Sequence, residues 1–321
     1  MKLELYLQNS NTGKIYDISG VAGQIEVTSS ISGEAGKLSC VLQKDPNNLL
    51  QIANGSKVKF IVDGYGMFYG YVFMVGTDAE ENYKITCYDQ MRYLKNSDVM
   101  TTENMTASDI FAKVCRDYEL PFEIRVPTKY IPEQYAHNST LYSIIERGMN
   151  SASLNDKKLY YIKDEFGTLV WNEIGNQKIE FELGDNSILV GYKYEKSIDD
   201  DTYNQIKMYK EDKNAGTRKS WVVKDSDNIK RWGILQMLYK ADDELNEAQL
   251  KQLGVNYLYV KNRQTEKLSL SALGVKEITA GSRIKFALER EKINKAMWVI
   301  SAKHTFTKYE HNMELELEAE S

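Results

Sequence analysis

The chain has 321 residues, long enough for two domains that each bury a core without disulfide or metal staples. Hydrophobic residues at 42% and charged residues at 27% exclude a disordered chain, and no apolar run approaches the length needed to cross a membrane as a helix. A net charge of −5 excludes nucleic acid as a primary partner, because phosphate binding needs a basic surface; DNA could only be passing cargo. Tyrosine occurs 22 times, mostly in runs such as "FYGYVF" and "KLYYIK" that suit half-buried strands, so the composition predicts a β-rich chain. Cys40, Cys87 and Cys115 form no CxxC pair and read as reduced core residues.

The N-terminal "LELYLQ" (Leu3 to Gln8) alternates apolar and polar positions and lacks the apolar core of a signal peptide, so it predicts a first strand in a chain made and folded in a bacterial cytoplasm. Period-two patterning continues through "GQIEVTSS", "KLSCVLQ", "SKVKFIVDG", "MFYGYVFMVG" and "YKITCYD", with Gly64 and Gly66 punctuating a turn. A helix is predicted after Thr106, which with Asp109 makes a capping box ahead of "IFAKVCRDYEL"; Pro121 stops it, and Pro127 and Pro132 mark loop. A second helix should follow Ser139, burying Leu141, Ile144, Ile145 and Met149 and ending near Met149. "KLYYIKDEFGTLVWNEI" predicts a hairpin turning at Asp164 to Gly167. Strands resume with "SILVGYKYEKS" and "YNQIKMYKED". "RKSWVVKD" and "ILQMLYK" predict a hairpin, and a helix capped by Asn246 follows, with Leu250, Leu253 and Tyr257 on one face. "EKLSLSALG", "SRIKFALER", "MWVISAKH" and "MELELEAE" close the chain as strands.

An internal repeat organises these elements. "GSKVKF" from Gly55 and "GSRIKF" from Gly281 differ by two conservative exchanges, and Gly55, Lys57 and Phe60 correspond to Gly281, Arg283 and Phe286. Each is followed by an aromatic strand and a closing alternating strand, and each is preceded by "EVTSSI" or "YEKSI", a short polar loop, and then "KLSCVLQKD" or "NQIKMYKED". Short apolar runs over-align easily, but six features in one order argue for duplication. The expected organisation is mainly β with α+β insertions. Residues 1–101 form a first β-domain, 102–182 a small α+β insertion, and 183–321 a second β-domain with a hairpin and helix inserted at about 213–277.

No motif for catalysis, metal or cofactor emerges: His137, His304 and His311 are scattered, and GxSxG, P-loop and GxGxxG patterns are missing from the sequence. His304, at a strand end, reads as a hydrogen-bonded structural histidine. Asp199, Asp200 and Asp201 read as a solvated turn, although those acids, or Glu165 with Glu173, would be the only candidates for a peptidoglycan hydrolase. Trp171 and Trp221 would serve a wall-binding module. In the last strand Glu314, Glu316, Glu318 and Glu320 share one face opposite Met313, Leu315 and Leu317, which suits either a charged edge strand or the acidic wall of a channel.

"GMFYGYVFMV…YKITCYDQMRYLKNSD" (Gly66 to Asp98) resembles the baseplate hub proteins of contractile phage tails, in which an "FxGxV" strand precedes a "YDxxRYLKN" strand end. "EKSIDDDTYNQIKMY", "KDSDNIKRWGILQ" and "AGSRIKF…WVISAKHTF…MELEL" extend the likeness over most of the chain, which is similar to the hubs of a Bacillus defective phage and of clostridial R-type bacteriocins. The resemblance implies a non-enzymatic trimer without cofactors, carrying two tail-tube-like β-barrel domains per chain. Three chains would then make a pseudo-hexameric ring, with the six-fold tail tube or its initiator above and the three-fold spike below. Wedge and tape-measure proteins would be further contacts, with no membrane involved.

Overall fold

The computed structural model describes residues 1–43, 50–132, 135–185, 187–212, 217–241, 245–289 and 291–319, and it is mainly β. In the first half lie β1 (Leu3–Gln8), β2 (Ile15–Asp17), β3 (Ala22–Ser30), β4 (Lys37–Leu42), β5 (Lys57–Val62), β6 (Tyr65–Thr77) and β7 (Tyr83–Tyr88). They hydrogen-bond in the order β3-β4-β7-β6-β5-β1-β2. Alternate side chains point inward, and Leu5 and Leu7 of β1 meet Ile25 and Val27 of β3 in one core with Leu38, Val58, Phe60 and Ile85. Strands five places apart in the sheet can share a core only if the sheet curls. Each such side chain contributes roughly 1.5–3 kcal/mol by leaving water.

A middle module follows: β8 (Ser97–Thr102), α1 (Ala107–Asp117), β9 (Phe122–Ile124), β10 (Tyr135–Thr140), α2 (Leu141–Asp156), β11 (Tyr160–Glu165) and β12 (Thr168–Glu173). The Thr106 capping box is present, with Thr106 Oγ1 accepting from Asp109 N and Asp109 accepting from Thr106 N. Helix α2 outruns its expected end at Met149 and stops only where Lys157 turns left-handed at φ 55°. Gly148 is no terminator because α1 packs against it; a Cβ there would sit 3.2 Å from Ile110. The β11–β12 hairpin turns where expected, with β9 added in parallel to β12. The expected boundary at residue 101 falls inside β8, which pairs along its whole length with β10 and so joins the middle module.

The rest of the chain holds β13 (Lys178–Gly184), β14 (Leu189–Ser197), β15 (Gln205–Asp212), β16 (Thr217–Lys224), α3 (Ser226–Trp232), β17 (Gln236–Lys240), α4 (Glu247–Lys261), β18 (Thr265–Leu273), β19 (Arg283–Leu288), β20 (Ile293–Phe306) and β21 (His311–Ala319). Two expectations change here. Strand β15 does not belong with the main sheet; it sits between β16 and β17 in a separate three-stranded sheet against which α4 packs, burying Ile206, Met208 and Leu250. Strand β18, "TEKLSLSAL", takes the place expected for β15, so the inserted segment runs from about residue 198 to 264 rather than 213–277. The predicted β16–β17 hairpin does not form either, because α3 intervenes and carries the chain to the far side of β15, where β17 runs parallel.

With β18 in place the two halves have the same strand order: β14-β18-β21-β20-β19-β13 beside β3-β4-β7-β6-β5-β1. The likeness reaches single bonds. Gly55 and Gly281 have φ of 80° and 85°, and their N–H groups donate to Val72 O and Val299 O at 2.7 and 2.8 Å. Val72 N and Val299 N donate back to Ser56 O and Ser282 O, both at 2.9 Å. A bulge follows each valine, between Val72 and Met74 and between Val299 and Ser301. Val72 therefore corresponds to Val299, and Tyr71 to Trp298. The halves differ at one edge, where β1 runs antiparallel to β5 but β13 runs parallel to β19.

These glycines yield a graded prediction. Gly55→Ala should cost about 1–2 kcal/mol through the left-handed backbone alone, since its Cβ would meet nothing nearer than 3.8 Å. Gly281→Ala should cost more, because the Cβ would lie 2.6 Å from Tyr161 Oη. Urea unfolding midpoints of the two variants read the difference.

Candidate functional site

The two halves are one sheet. β20 is 14 residues long; its first half pairs with β19, and beyond that Ser301 to Phe306 pair antiparallel with Ser30 to Ile25 of β3. Phe306 thus leaves its own half and enters the core of the first, fully buried with its ring 5.1 Å edge-on from Phe60. Ile31 N donates to Ile300 O and Ala280 N to Ser29 Oγ, extending the seam beyond the strands. Thirteen strands share this hydrogen-bonding.

The outer face of the sheet carries the acidic strand. Glu314 and Glu316 are exposed and Glu318 is half-buried, opposite buried Met313, Leu315 and Leu317; Glu320 lies outside the described residues. The face is mixed rather than uniformly acidic. Lys303 on β20 reaches Glu314 at 3.4 Å and Glu26 at 3.7 Å, Arg263 reaches Glu318 at 3.1 Å, and Ser269 Oγ donates to Glu316 at 2.6 Å. Around them the outward positions of β18, β20, β3, β4 and β7 mix small hydroxyls, among them Ser271, Ser301, Thr28, Ser39 and Thr86, with lysines such as Lys267, Lys37 and Lys84. The repeat-defining residues play two parts: Phe60 and Phe286 fill the two cores, while Lys57 and Arg283 point away from them.

Where the halves meet the middle module, the chain buries charge that sequence reasoning did not single out. Lys163 of β11, 4% exposed, donates to Gln177 Oε1 and Ala280 O at 2.9 Å and lies 3.1 Å from Glu165. Burial holds its ammonium below the ordinary lysine value. Glu165 also takes two hydrogen bonds from Arg125. Asp89 accepts from Gly36 N and Met91 N, and Asp164 Oδ1 accepts from Gly167 N at 2.7 Å while its Oδ2 is buried without a partner. Burial pushes Asp164 up to about 7, and burial followed by the Asp164 charge raises Asp89 well above the carboxylate range. Both line a cavity of about 420 Å³ that also touches Lys163, Thr279 and His304.

Between about 3.8 and 7 the folded chain holds a proton on Asp164 that the unfolded chain has released, so this group's contribution to stability falls as pH rises through that window. Asp164→Asn keeps the acceptor for Gly167 N and removes the titration. Its gain over wild type in urea midpoint should therefore be larger at pH 8 than at pH 4. His304 and His311 contribute the opposite slope. His304 Nε2 donates to Ile278 O at 2.9 Å, and its Nδ1 then accepts from His311 Nε2 at 2.9 Å. Burial holds both near 4, so they cost stability as pH falls from 6.5 toward 4; comparing variant with wild type isolates Asp164.

The other candidate residues are not brought together. Asp200 pairs with Lys267 and Asp201 with Lys261 on the surface, while Glu173 pairs with Lys158 at 2.6 Å, away from the Arg125-bound Glu165. Trp171 is no exposed wall contact: it is fully buried, stacks on Tyr160 at 5.6 Å, and donates from Nε1 to Val126 O. The hairpin forms as expected, but its strands do not alternate: β11 and β12 are each buried at four consecutive residues, and "LVW" at the centre of β12 was the available sign. Trp221, on β16, is half-buried. His137 is buried with Nε2 3.1 Å from Thr102 Oγ1. The three cysteines are buried free thiols. Among the described residues no cluster of three or more His, Cys, Asp or Glu is placed to hold a metal ion, and no helix is long and apolar enough to cross a membrane.

The profile of a family described as YQBQ-like matches residues 25–318. Among curated relatives, the phage-like element PBSX protein XkdQ of Bacillus subtilis (strain 168) is 26% identical over 284 residues, spanning 86% of this chain and 85% of that protein. Two solved structures share the fold. The 43 kDa tail protein of prophage MuSo2 from Shewanella oneidensis superposes with a TM-score of 0.73 at 13% identity, covering 98% of each chain. The tail protein from Neisseria meningitidis MC58 gives 0.71 at 13% identity, covering 100% of this chain and 97% of that one.

Proposed function

Because the chain belongs to the YQBQ-like family, we propose that it is a structural hub subunit of a phage-tail or phage-tail-like baseplate, a trimer whose paired β-units form a ring joining a six-fold tail tube to a three-fold spike. The observation that carries this reading is the identical strand order of two halves fused into one sheet. A duplicated unit lets three chains present six like surfaces, which is what an adaptor between six-fold and three-fold parts needs. The relative XkdQ is named for a phage-like element, and the two structures that share the fold are tail proteins.

In this reading the hydroxyl-rich outer face, with Glu314, Glu316 and Glu318, lines the channel; its internally paired charges leave a polar wall without a strong single-sign field. The duplicated units comprise β1 to β7 and β13, β14 and β18 to β21, and the middle and inserted modules extend outward from them. The tube end and the spike contact opposite rims. The hub has no catalytic step, and its cycle needs no cofactor.

Light scattering of the purified chain should give three times the 36.9 kDa subunit, and electron microscopy down the axis should show six β-units around a pore. A chain that stays monomeric both alone and with its spike partner would sink the proposal.

A further inference from the structure

A cavity of about 1020 Å³ opens between the middle module and the inserted one, and neither half of the duplicated sheet lines it. Its size is at the upper end for small-molecule sites, which gather where domains meet. One wall is the second half of α2 with the start of β11; the other is α4 with β17. Both walls are held in place. Tyr160 stacks on Trp171 at 5.6 Å and donates to Asp156 at 2.9 Å, and across the cleft the Tyr239 and Tyr257 rings lie 5.0 Å apart at 45°. Where the modules touch, α2 packs on α4 and Lys157 Nζ sits 4.8 Å over the Tyr259 ring.

The chemistry of the walls narrows the occupant. Two lysines line the cavity and both are matched, Lys240 by Glu211 at 2.8 Å and Lys261 by Asp201. Glu211, which also lines it, takes Arg218 as well at 3.1 Å. A charged ligand would have to break these pairs to find a partner. A purely apolar ligand would strand the side-chain amides of Asn155, Gln249, Gln252 and Asn256, which also line the cleft. Asn256 is the sharpest case. It is 4% exposed, its Oδ1 accepts from Gln252 Nε2 at 3.0 Å, and its Nδ2 has no hydrogen-bond partner among the described residues. Buried polar groups in folded proteins are paired, so a free donor lining a cavity points to a ligand oxygen.

We propose that this cleft binds a neutral saccharide carrying an N-acetyl group. A pyranose has apolar C–H faces that pack on tyrosine rings, and hydroxyls that pair with side-chain amides. An acetamido group adds a carbonyl for Asn256 Nδ2 and a methyl for Leu253, which is three residues away on the same face of α4. The site uses only the middle and inserted modules, so it stands or falls independently of the hub reading.

Calorimetric titration of the purified chain, in whatever oligomer it forms, with N,N′,N″-triacetylchitotriose tests it. Binding should saturate and be about tenfold tighter than for cellotriose, which has the same rings without the acetamido groups. Asn155 is exposed at the rim and its Nδ2 bonds only to Ser151 O of its own helix, so Asn155→Trp should fill the cleft and abolish binding while the chain still folds. Asn256→Leu removes the free donor and should weaken binding about fivefold to tenfold. Thermal melting checks both variants, and if Asn256→Leu does not fold, Asn155→Trp decides alone. Absence of binding, equal affinity for cellotriose, or unchanged binding by Asn155→Trp overturns the site and leaves the hub reading intact. A monomeric chain that binds the sugar would remove the hub and keep the site.

Discussion

Phe306→Ala should lose about 4 kcal/mol of stability, near the upper end for an aromatic truncation, because its ring fills a core that its own half does not own. Phe306 is fully buried against Phe60 at 5.1 Å, with the His311 ring stacked on it at 4.1 Å. Nothing on β3 can move into the space, since Ile25 and Val27 are held by the β4 and β20 ladders on either side. The loss should also change the shape of unfolding. In the wild type the seam couples the halves, so they should melt together; in the variant the transition should broaden or split, and the urea m-value should fall. Phe286→Ala removes a comparable ring from the second core alone and should lower the midpoint without that broadening. A single sharp transition for Phe306→Ala would show that the seam does not couple the halves. A double-mutant cycle with Phe60→Ala should return a coupling of about 1 kcal/mol for the ring pair.

Lys163→Ala is expected to cost about 3–5 kcal/mol, as removal of one member of a buried charged network does. The ammonium is where the three parts of the fold meet: Lys163 belongs to the β11 hairpin, Gln177 to the link into the second half, and Ala280 to the turn that bonds back to Ser29 of β3. Without it, Gln177 Oε1 and Ala280 O lose their donor, and Glu165 loses one of its two cations. Lys163→Met, which fills the same volume without the donors, should recover part of the packing and little of the loss. Near-wild-type stability of Lys163→Ala, measured by urea unfolding at pH 7, would mean that water replaces the ammonium. Glu165→Gln with Lys163→Met should be less than additive, since neutralising the acid removes part of what the lysine offsets.

Period-two alternation placed nearly every strand of the two halves, because each strand has one face in a core and one in water, and that constraint is local. The capping boxes at Thr106 and Asn246 were readable for the same reason: a cap is a contact between residues three apart. The hub resemblance was likewise carried by short strand-end patterns. The repeat was legible through "GSKVKF" and "GSRIKF", whose glycine and buried serine serve the same bonds in both halves.

Pairing was another matter. "NQIKMYKED" and "EKLSLSALG" both alternate, and nothing local says which lies beside "YEKSI"; the shared "KLS" of β4 and β18 was the one hint, and hydrogen bonding decides for β18. The buried network was hidden because "IKDEFG" reads as a polar turn, and only the packing of Gln177, Thr279 and Ala280 over Lys163 takes it out of water. Sequence by itself determined the elements, the duplication and the outward row of acids. Which strands are neighbours, where charge is buried, and the fusion of two halves through β3 and β20 are contacts between residues as far apart as Ile25 and Phe306, and only the tertiary structure decided them.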